Sequence, residues 1–181
     1  MKRETSPVRE RIVETATRLF YKQGYNLTGI NQIIQEADIA KASLYQHFPS
    51  KEDLLAEYLN VTAKATNETL ASVAAKYDSP KEKVLGLFDF LLEFSSQTDF
   101  QGCNFLNANV EIPKDNQKIR AIIVKQKNQI RELFEEILKP IGKEDLADEL
   151  YILFDAGLVT SKVYQETWSI QKAKNIAEKL I

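Results

Sequence analysis

Apolar residues recur along the chain every three or four positions, the spacing that places them on one face of an α-helix. The first such stripe comprises Val8, Ile12, Ala16, Leu19 and Phe20. Gly24 follows it, at a position where a helix commonly ends. No stretch alternates apolar and polar residues for long enough to indicate a β-strand. The pattern therefore predicts an all-α fold of about nine helices.

Local capping signals predict where several of these helices begin. Thr28 is expected to cap a short second helix, and a third short helix covers about residues 41–47. Ser50 followed by Asp53 predicts the start of a long fourth helix, and Ser79-Pro80-Lys81-Glu82 has the form of a capping box. Further helices are predicted over about residues 104–112, 119–138, 143–165 and 168–181.

The composition, with 44% hydrophobic and 28% charged residues, is that of an ordinary globular protein. No apolar run reaches the roughly 18 residues that a transmembrane helix needs. The charged N-terminus lacks the apolar segment of a secretory signal. One cysteine cannot form an intrachain disulfide, so the expected compartment is the cytoplasm, with no membrane partner.

The residues needed for common catalytic and metal sites are scarce. The chain has one histidine, no glycine-rich phosphate loop and no Cys/His spacing typical of a metal site. We therefore expect no catalytic residues, no metal and no cofactor, and predict that the chain is not an enzyme.

Charge and helix pattern together indicate a DNA-binding head on a larger body. Residues 1–51 carry eight basic and five acidic side chains, net +3, whereas the remainder is net −5. A helix, a tight turn and a second short helix within a basic three-helix segment follow the logic of a helix-turn-helix. The predicted head covers residues 6–67, with the helix-turn-helix at about 29–48, and the body covers 68–181.

Residues 12–55 resemble the N-terminal domain of the TetR family of bacterial transcription regulators. The most recognisable stretch is Leu44-Tyr45-Gln46-His47-Phe48-Pro49-Ser50-Lys51-Glu52. The other matching residues are Ala16, Phe20, Gly24, Thr28, Ile33, Ala37, Ile39, Lys41, Ser43 and Leu54. The resemblance implies a dimeric regulator, more often a repressor, that binds a double-stranded DNA operator and responds to a small-molecule inducer in its body.

The resemblance also implies roles for single residues. Thr28, Tyr45, His47 and Lys51 are expected to bind phosphates. The candidates near base edges are Lys41, Ala42, Ser43 and Gln46.

Two positions in this segment depart from the family pattern. Asp38 stands in the turn where glycine is usual, and aspartate tolerates the left-handed backbone that such a turn needs. Ala40 stands where a Ser or Thr cap is usual, so the recognition helix is expected to be looser without DNA.

The last two helices are predicted to form the seam of a homodimer, because they carry apolar and small residues at helical spacing. An intrachain core is the alternative interpretation of the same stripes. The predicted interface residues are Leu146, Leu150, Leu153, Gly157, Ser161, Ile170, Ala173 and Ala177.

A ligand pocket is predicted where aromatic walls and a few polar side chains occur together. The candidate residues are Phe88, Leu91, Cys103, Asn104, Phe105, Asn107, Tyr151, Phe154 and Asp155. If Asp155 is buried, it is expected to have a cationic or hydrogen-bonding partner. Cys103 is either an inert thiol or a redox- or electrophile-sensing one.

An all-helical protein-interaction adaptor without specific DNA binding is the alternative to a regulator.

Overall fold

The computed structural model describes residues 7–181, and within that range it contains nine α-helices, two short 3-10 helices and no β-strand. The all-α prediction is therefore confirmed. The helices are α1 Val8–Gln23, α2 Ile30–Glu36, α3 Lys41–His47, α4 Lys51–Ala74, α5 Pro80–Gln97, α6 Asn104–Glu111, α7 Gln117–Leu138, α8 Ala147–Tyr164 and α9 Trp168–Leu180. Lys2, Arg3 and Glu4, which entered the charge count, and residue 6, where the predicted head begins, lie outside the described residues.

The polar starts of α4 and α5 form as their sequences predict. The Asp53 amide donates to Ser50 Oγ at 3.0 Å, which satisfies one of the free N–H groups at the start of α4. In α5 the Glu82 amide donates to Ser79 Oγ at 3.2 Å, and the Ser79 amide donates to Glu82 Oε2 at 3.3 Å. The capping box is therefore complete, and Pro80 is the first residue of the helix behind it.

The predicted cap of α2 is wrong. The residue at the N-cap position is Gly29, with no side-chain hydrogen bond to the helix. Thr28 is fully buried, and its hydroxyl donates backwards to the Gly24 carbonyl at 2.7 Å. The hydroxyl therefore closes the turn behind α1, because a carbonyl four residues back lies within its reach.

The two departures in the turn before α3 behave as their chemistry predicts. Asp38 adopts the left-handed conformation with φ +52°. Ala40 is the N-cap of α3, in an extended conformation, and makes no side-chain capping bond.

The described chain divides into two compact units. The first unit contains the described residues up to Thr62 together with Asn104–Ile123, and the second contains Ala63–Cys103 and Val124–Ile181. The sequence places the boundary between residues 67 and 68 and assigns everything after it to the body. No sequence pattern in Asn104–Ile123 indicates that it packs with the head, yet the structure places this segment in the first unit.

Each unit has its own apolar core. In the first unit Ile12, Ile33, Leu44 and Leu54 are completely buried, so α1 to α4 each contribute to one core. In the second unit Phe88 and Phe134 both contact the Phe154 ring edge-to-face, with ring centroids 5.7 Å apart. None of the described helices combines the length and apolar content needed to cross a membrane.

Candidate nucleic-acid interface

Helix α3 has one buried face and one exposed face. Leu44 is fully buried and Phe48, directly after the helix, is 4% exposed. Tyr45 is 43% exposed, and the remaining predicted DNA contacts on this helix are also exposed except for half-buried Ser43. The exposed ones are Lys41, Ala42, Gln46 and His47. These core contacts fix the buried face of α3, and the opposite face carries exposed hydrogen-bonding side chains.

Side chains of α1 hold α2 and the turn before α3. Arg18 Nη2 lies 2.7 Å from Glu36 Oε2, and the hydrogen bond from Arg18 lowers the pKa of Glu36. Gln32 connects the two helices further along, accepting from Gln23 at 2.9 Å and donating to Glu36 at 2.9 Å. Arg11 donates to the Asp38 carbonyl at 3.2 Å, so α1 also contacts the left-handed turn.

The predicted phosphate ligand Lys51 is half-buried and rests on an aromatic ring. Its ammonium lies 4.2 Å from the centre of the Tyr25 ring, a cation–π geometry. Burial lowers the pKa of Lys51, and the charge of Glu111 opposes that shift. The Tyr25 ring therefore restricts the position of this ammonium at the start of α4.

Glu111, at the end of α6, joins the turn between α1 and α2 within the first unit. Its Oε2 accepts from the Asn26 amide at 2.6 Å, and its carbonyl accepts from Asn26 Nδ2 at 3.2 Å. Gly24 has φ +88°, and a Cβ there would lie 2.7 Å from Glu111 Oε1. Sequence reasoning missed Glu111, because no local pattern signals a contact across 85 positions.

Thr28 does not belong with the exposed DNA contacts. Its hydroxyl is taken by the Gly24 carbonyl and its amide donates to the Tyr25 carbonyl at 3.3 Å. With the residue fully buried, neither group is open to a phosphate. The expectation that Thr28 binds a phosphate is therefore not supported by its position.

The structure divides the predicted pocket residues between the two units. Asn104, Phe105 and Asn107 lie in the first unit. Asn104 Oδ1 accepts from the Tyr58 hydroxyl at 2.8 Å, and Phe105 is 2% exposed. Asn104 and Asn107 also line a small cavity in this unit, next to Glu111.

In the second unit three of the predicted pocket residues meet around a lysine that sequence reasoning missed. Lys127 Nζ donates to Asp155 Oδ1 at 2.8 Å and to Cys103 Sγ at 3.3 Å. The Tyr151 hydroxyl donates to Asp155 Oδ2 at 2.8 Å. We call these four residues the Lys127 cluster. Asp155 is half-buried, with its side chain 15% exposed, and it has both a cationic and a hydrogen-bonding partner.

The electrostatics of the Lys127 cluster favour its charged ion pair. Burial opposes the charge on Lys127, which is 8% exposed, but Cys103 and Asp155 outweigh burial and raise the pKa of Lys127. Burial, followed by the hydrogen bond to Asp155, raises the pKa of Tyr151, so its hydroxyl stays protonated and acts as a donor. A signal for Lys127 was present in the sequence: it lies four residues after Ile123 and three before Ile130, both core positions.

The apolar members of the predicted pocket that lie in the second unit, Phe88, Leu91 and Phe154, are 0–3% exposed and belong to the core of that unit. They therefore support the Lys127 cluster as part of the packed interior. Among the described residues, no group of three His, Cys, Asp or Glu side chains is placed to hold a metal ion.

Most of the predicted dimer residues are buried within the chain itself. Of the eight, the six buried ones are Leu150, Gly157, Ser161, Ile170, Ala173 and Ala177, whereas Leu146 and Leu153 are half-buried. Gly157 allows α8 and α9 to approach, because a Cβ there would lie 3.3 Å from Ile170 Cα. Their burial therefore needs no second copy of the chain.

A different face of the same two helices is apolar and exposed. On α8 it comprises Ile152, Ala156, Val159 and Val163, spaced by four, three and four residues. On α9, Trp168 is 47% and Ile176 is 43% exposed. We call these six residues the outer face. The eight interface residues predicted from the sequence include none of these six, because both faces of α8 have helical apolar spacing.

Comparison with known proteins agrees with the helix-turn-helix geometry. Residues 12–58 match the family model described as bacterial regulatory proteins, tetR family. The HTH-type transcriptional regulator LmrA of Bacillus subtilis is 32% identical over 136 residues, which are 74% of this chain and 72% of LmrA. The HTH-type transcriptional repressor DhaR of Mycobacterium sp. strain GP1 is 28% identical, over 76% of this chain and 65% of DhaR.

Solved structures share the fold over almost the whole chain. The crystal structure of SCO4454, a TetR-family transcriptional regulator from Streptomyces coelicolor, superposes with a TM-score of 0.85 at 23% identity. The match covers 96% of this chain and 93% of that one. The family match in the head, the extended similarity to LmrA and the common fold lead to one conclusion: the chain belongs to the TetR family of bacterial transcription regulators.

Proposed function

We propose that this chain is a repressor that binds a palindromic operator as a homodimer and releases it when a small molecule binds. The observation that carries the proposal is the two-sided α3, with Leu44 fixed in the core and Tyr45, Gln46 and His47 exposed. A helix held in this way presents donors and acceptors to the major groove in a fixed orientation.

The exposed side chains divide into two roles. Tyr45, His47 and Lys51 bind phosphates and fix the register of the head on the duplex. Lys41, Ala42, Ser43 and Gln46 lie at base edges, where lysine suits guanine and glutamine suits adenine.

The homodimer is proposed to form through the outer face rather than through the eight residues named from the sequence. Its exposed apolar stripe on α8 and the neighbouring Trp168 and Ile176 on α9 are what a second copy would cover. Two heads related by a two-fold axis match half-sites about 34–36 Å apart.

The proposed direction of regulation rests on the name of a relative. The proposed response to a ligand rests on the second unit. DhaR, which is named as a repressor, supports repression as the direction. The Lys127 cluster supports a ligand site, because it supplies the few polar groups that such a site needs. Asn104, Phe105 and Asn107 stay proposed pocket residues.

The test is a selection of bound sequences from random duplex DNA with the purified chain at moderate salt. We expect an enriched palindrome with half-sites about one helical turn apart. The Tyr45→Ala/Lys51→Ala double variant should give no enrichment. If the unmodified chain binds only weakly, without sequence preference and with strong salt dependence, the proposal is overturned and the helical adaptor becomes the better hypothesis.

A further inference from the structure

The start of α4, where Lys51 lies, is anchored by residues that are distant in sequence. Directly after Lys51, Glu52 Oε2 accepts from Asn116 Nδ2 at 2.7 Å, and Asp53 is paired with Lys118. Asn116 precedes α7 and Lys118 lies in its first turn, and both belong to the first unit. The backbone around Lys51 is therefore fixed, and what remains variable is the direction of the Lys51 side chain.

The Tyr25 ring determines that direction. The Lys51 ammonium lies 4.2 Å from the centre of the ring, and the ring contacts Phe20 edge-to-face with centroids 5.5 Å apart. Phe20 is 5% exposed, so one side of the Tyr25 ring rests on the core. The backbone of Tyr25, however, lies in the turn that begins at Gly24, whose φ is +88°. The position of the ring thus depends on the conformation of this turn.

The carboxylate of Glu111 fixes the turn. Its Oε2 accepts from the Asn26 amide at 2.6 Å, and a Cβ added to Gly24 would lie only 2.7 Å from its Oε1. Tyr25, between these two residues, lines the same small cavity as Glu111. Without the carboxylate, the Glu111 carbonyl would still hold Asn26 Nδ2, but the amide next to Tyr25 would lose its acceptor.

Two effects of Glu111 on DNA binding oppose each other. Its charge counteracts the burial that lowers the pKa of Lys51, but the same charge repels an approaching phosphate. Its hydrogen bond orders the turn before DNA arrives, and an ordered side chain loses less conformational entropy on binding. The two effects can be separated, because glutamine keeps the acceptor and removes the charge.

We propose that Glu111 is a positioning residue for DNA binding, which orders Lys51 for a phosphate through the Asn26 amide and the Tyr25 ring without touching DNA itself. This inference rests on the proposed phosphate role of Lys51. It gives a function in DNA binding to α6, a helix that the sequence assigns to the body and the structure places in the first unit.

The test measures affinity for a random-sequence duplex of fixed length at several salt concentrations, because phosphate contacts dominate such binding whatever the operator. Glu111→Gln and Glu111→Ala both remove the charge, but only glutamine keeps an acceptor for the Asn26 amide. The ratio of their affinities therefore isolates the hydrogen bond. Glu111→Asp, compared with the unmodified chain, repeats the comparison at constant charge with a side chain one methylene group shorter. Circular dichroism verifies that each variant is folded.

We expect Glu111→Ala to bind about threefold or more weakly than Glu111→Gln, and Glu111→Asp to bind more weakly than the unmodified chain. In a Lys51→Ala background the Ala/Gln ratio should become one, because a positioning residue has no effect without the group that it positions. Tyr25→Leu should also bring the ratio to one, whereas Tyr25→Phe keeps the ring and should preserve it. A role of Glu111 in stability alone would not produce this dependence on Lys51.

The matched control is the same pair of substitutions at Glu57, a carboxylate of the first unit that lies 2.7 Å from Arg9. Its ratio should not depend on Lys51. The proposal is overturned if Glu111→Ala and Glu111→Gln bind equally, which is the result of charge repulsion alone, or if their ratio persists in the Lys51→Ala or Tyr25→Leu background.

The Lys51→Ala variant keeps this inference distinct from the proposed function. If Lys51→Ala binds the duplex as tightly as the unmodified chain, the proposed phosphate role of Lys51 fails, and the inference fails with it. If Lys51→Ala weakens binding but the Glu111 ratio is one, the phosphate role stands and the positioning role alone is overturned.

Discussion

Lys51 and Gln46 both belong to the proposed DNA surface, but their environments give them different tasks. Lys51 is half-buried, with its ammonium against the Tyr25 ring, so its charge is held in one place. Gln46 is exposed on α3 and carries one donor and one acceptor group that match the edge of an adenine. The first is suited to position the protein and the second to read sequence.

Lys51→Ala should therefore weaken binding to operator and random DNA by the same factor. One phosphate contact is lost, so the slope of log affinity against log salt should fall by about one unit. Lys64→Ala, on the same helix but in the second unit, is the control and should leave both quantities unchanged. A loss confined to the operator would contradict the phosphate role.

Gln46→Ala should instead relax the preference at one base pair, with a discrimination loss of about 1–3 kcal/mol. The measurement compares affinities for the selected operator and for its single-base variants at constant salt. Equal losses on operator and random DNA would show that Gln46 reads no base.

The proposed DNA surface contains the starts of α3 and α4, and of these two only α3 lacks an N-cap hydrogen bond from a side chain. α4 begins with a hydrogen bond from the Asp53 amide to Ser50 Oγ, whereas Ala40 leaves the first turn of α3 without a side-chain partner. The Ala40 backbone is nevertheless extended, with φ −74° and ψ 146°, which is the conformation a capping serine adopts.

Ala40→Ser should therefore stabilise the chain by about 1 kcal/mol, since only the missing acceptor is added. Urea denaturation measures the change, and affinity for the operator should rise slightly because α3 is better ordered before binding. Ala71→Ser, at an exposed position within α4, is the control and should be neutral or slightly destabilising. Destabilisation by Ala40→Ser would mean that the hydroxyl does not reach the free amides.

Local signals predicted the helix starts well where donor and acceptor are neighbours in sequence. Ser50 and Ser79 find their partners three residues away, so the pattern alone is sufficient. The Thr28 hydroxyl can bond either to a preceding carbonyl or to a following helix amide. The structure shows a hydrogen bond to the Gly24 carbonyl, so the predicted cap of α2 is wrong. Propensity does not decide between those partners; the conformation of the turn does.

Contacts between distant segments were beyond sequence reasoning. The sequence predicts a cationic or hydrogen-bonding partner for a buried Asp155. The helical spacing of Lys127 indicates that this lysine faces inward, but it does not identify Lys127, 28 positions away, as the partner. The same limit applies to the dimer. An apolar stripe on α8 can be buried equally well against α9 or against a second copy of the chain. The structure shows that Leu150 and Gly157 are buried within the single chain.

The outer face provides the sharpest test of assembly. Val159→Glu places a charge in the middle of the proposed seam, where Val159 is 42% exposed in the single chain and therefore contributes little to its fold. Sedimentation should show a shift from dimer to monomer, and binding to the palindrome should fall to the level of a single half-site. Val110→Glu, on α6 in the first unit, is the matched control, because Val110 is 82% exposed and lies outside the seam.

The single tryptophan provides an independent readout of the same event. Trp168 is 47% exposed in one copy, so its emission should shift to longer wavelength when Val159→Glu separates the dimer. Leu150→Ala provides the contrast: this buried core residue should lower the free energy of unfolding by about 2–5 kcal/mol whether or not a dimer forms. A dimer that survives Val159→Glu with unchanged Trp168 emission would place the seam on a different surface. The two heads would then be spaced by different contacts than those proposed here.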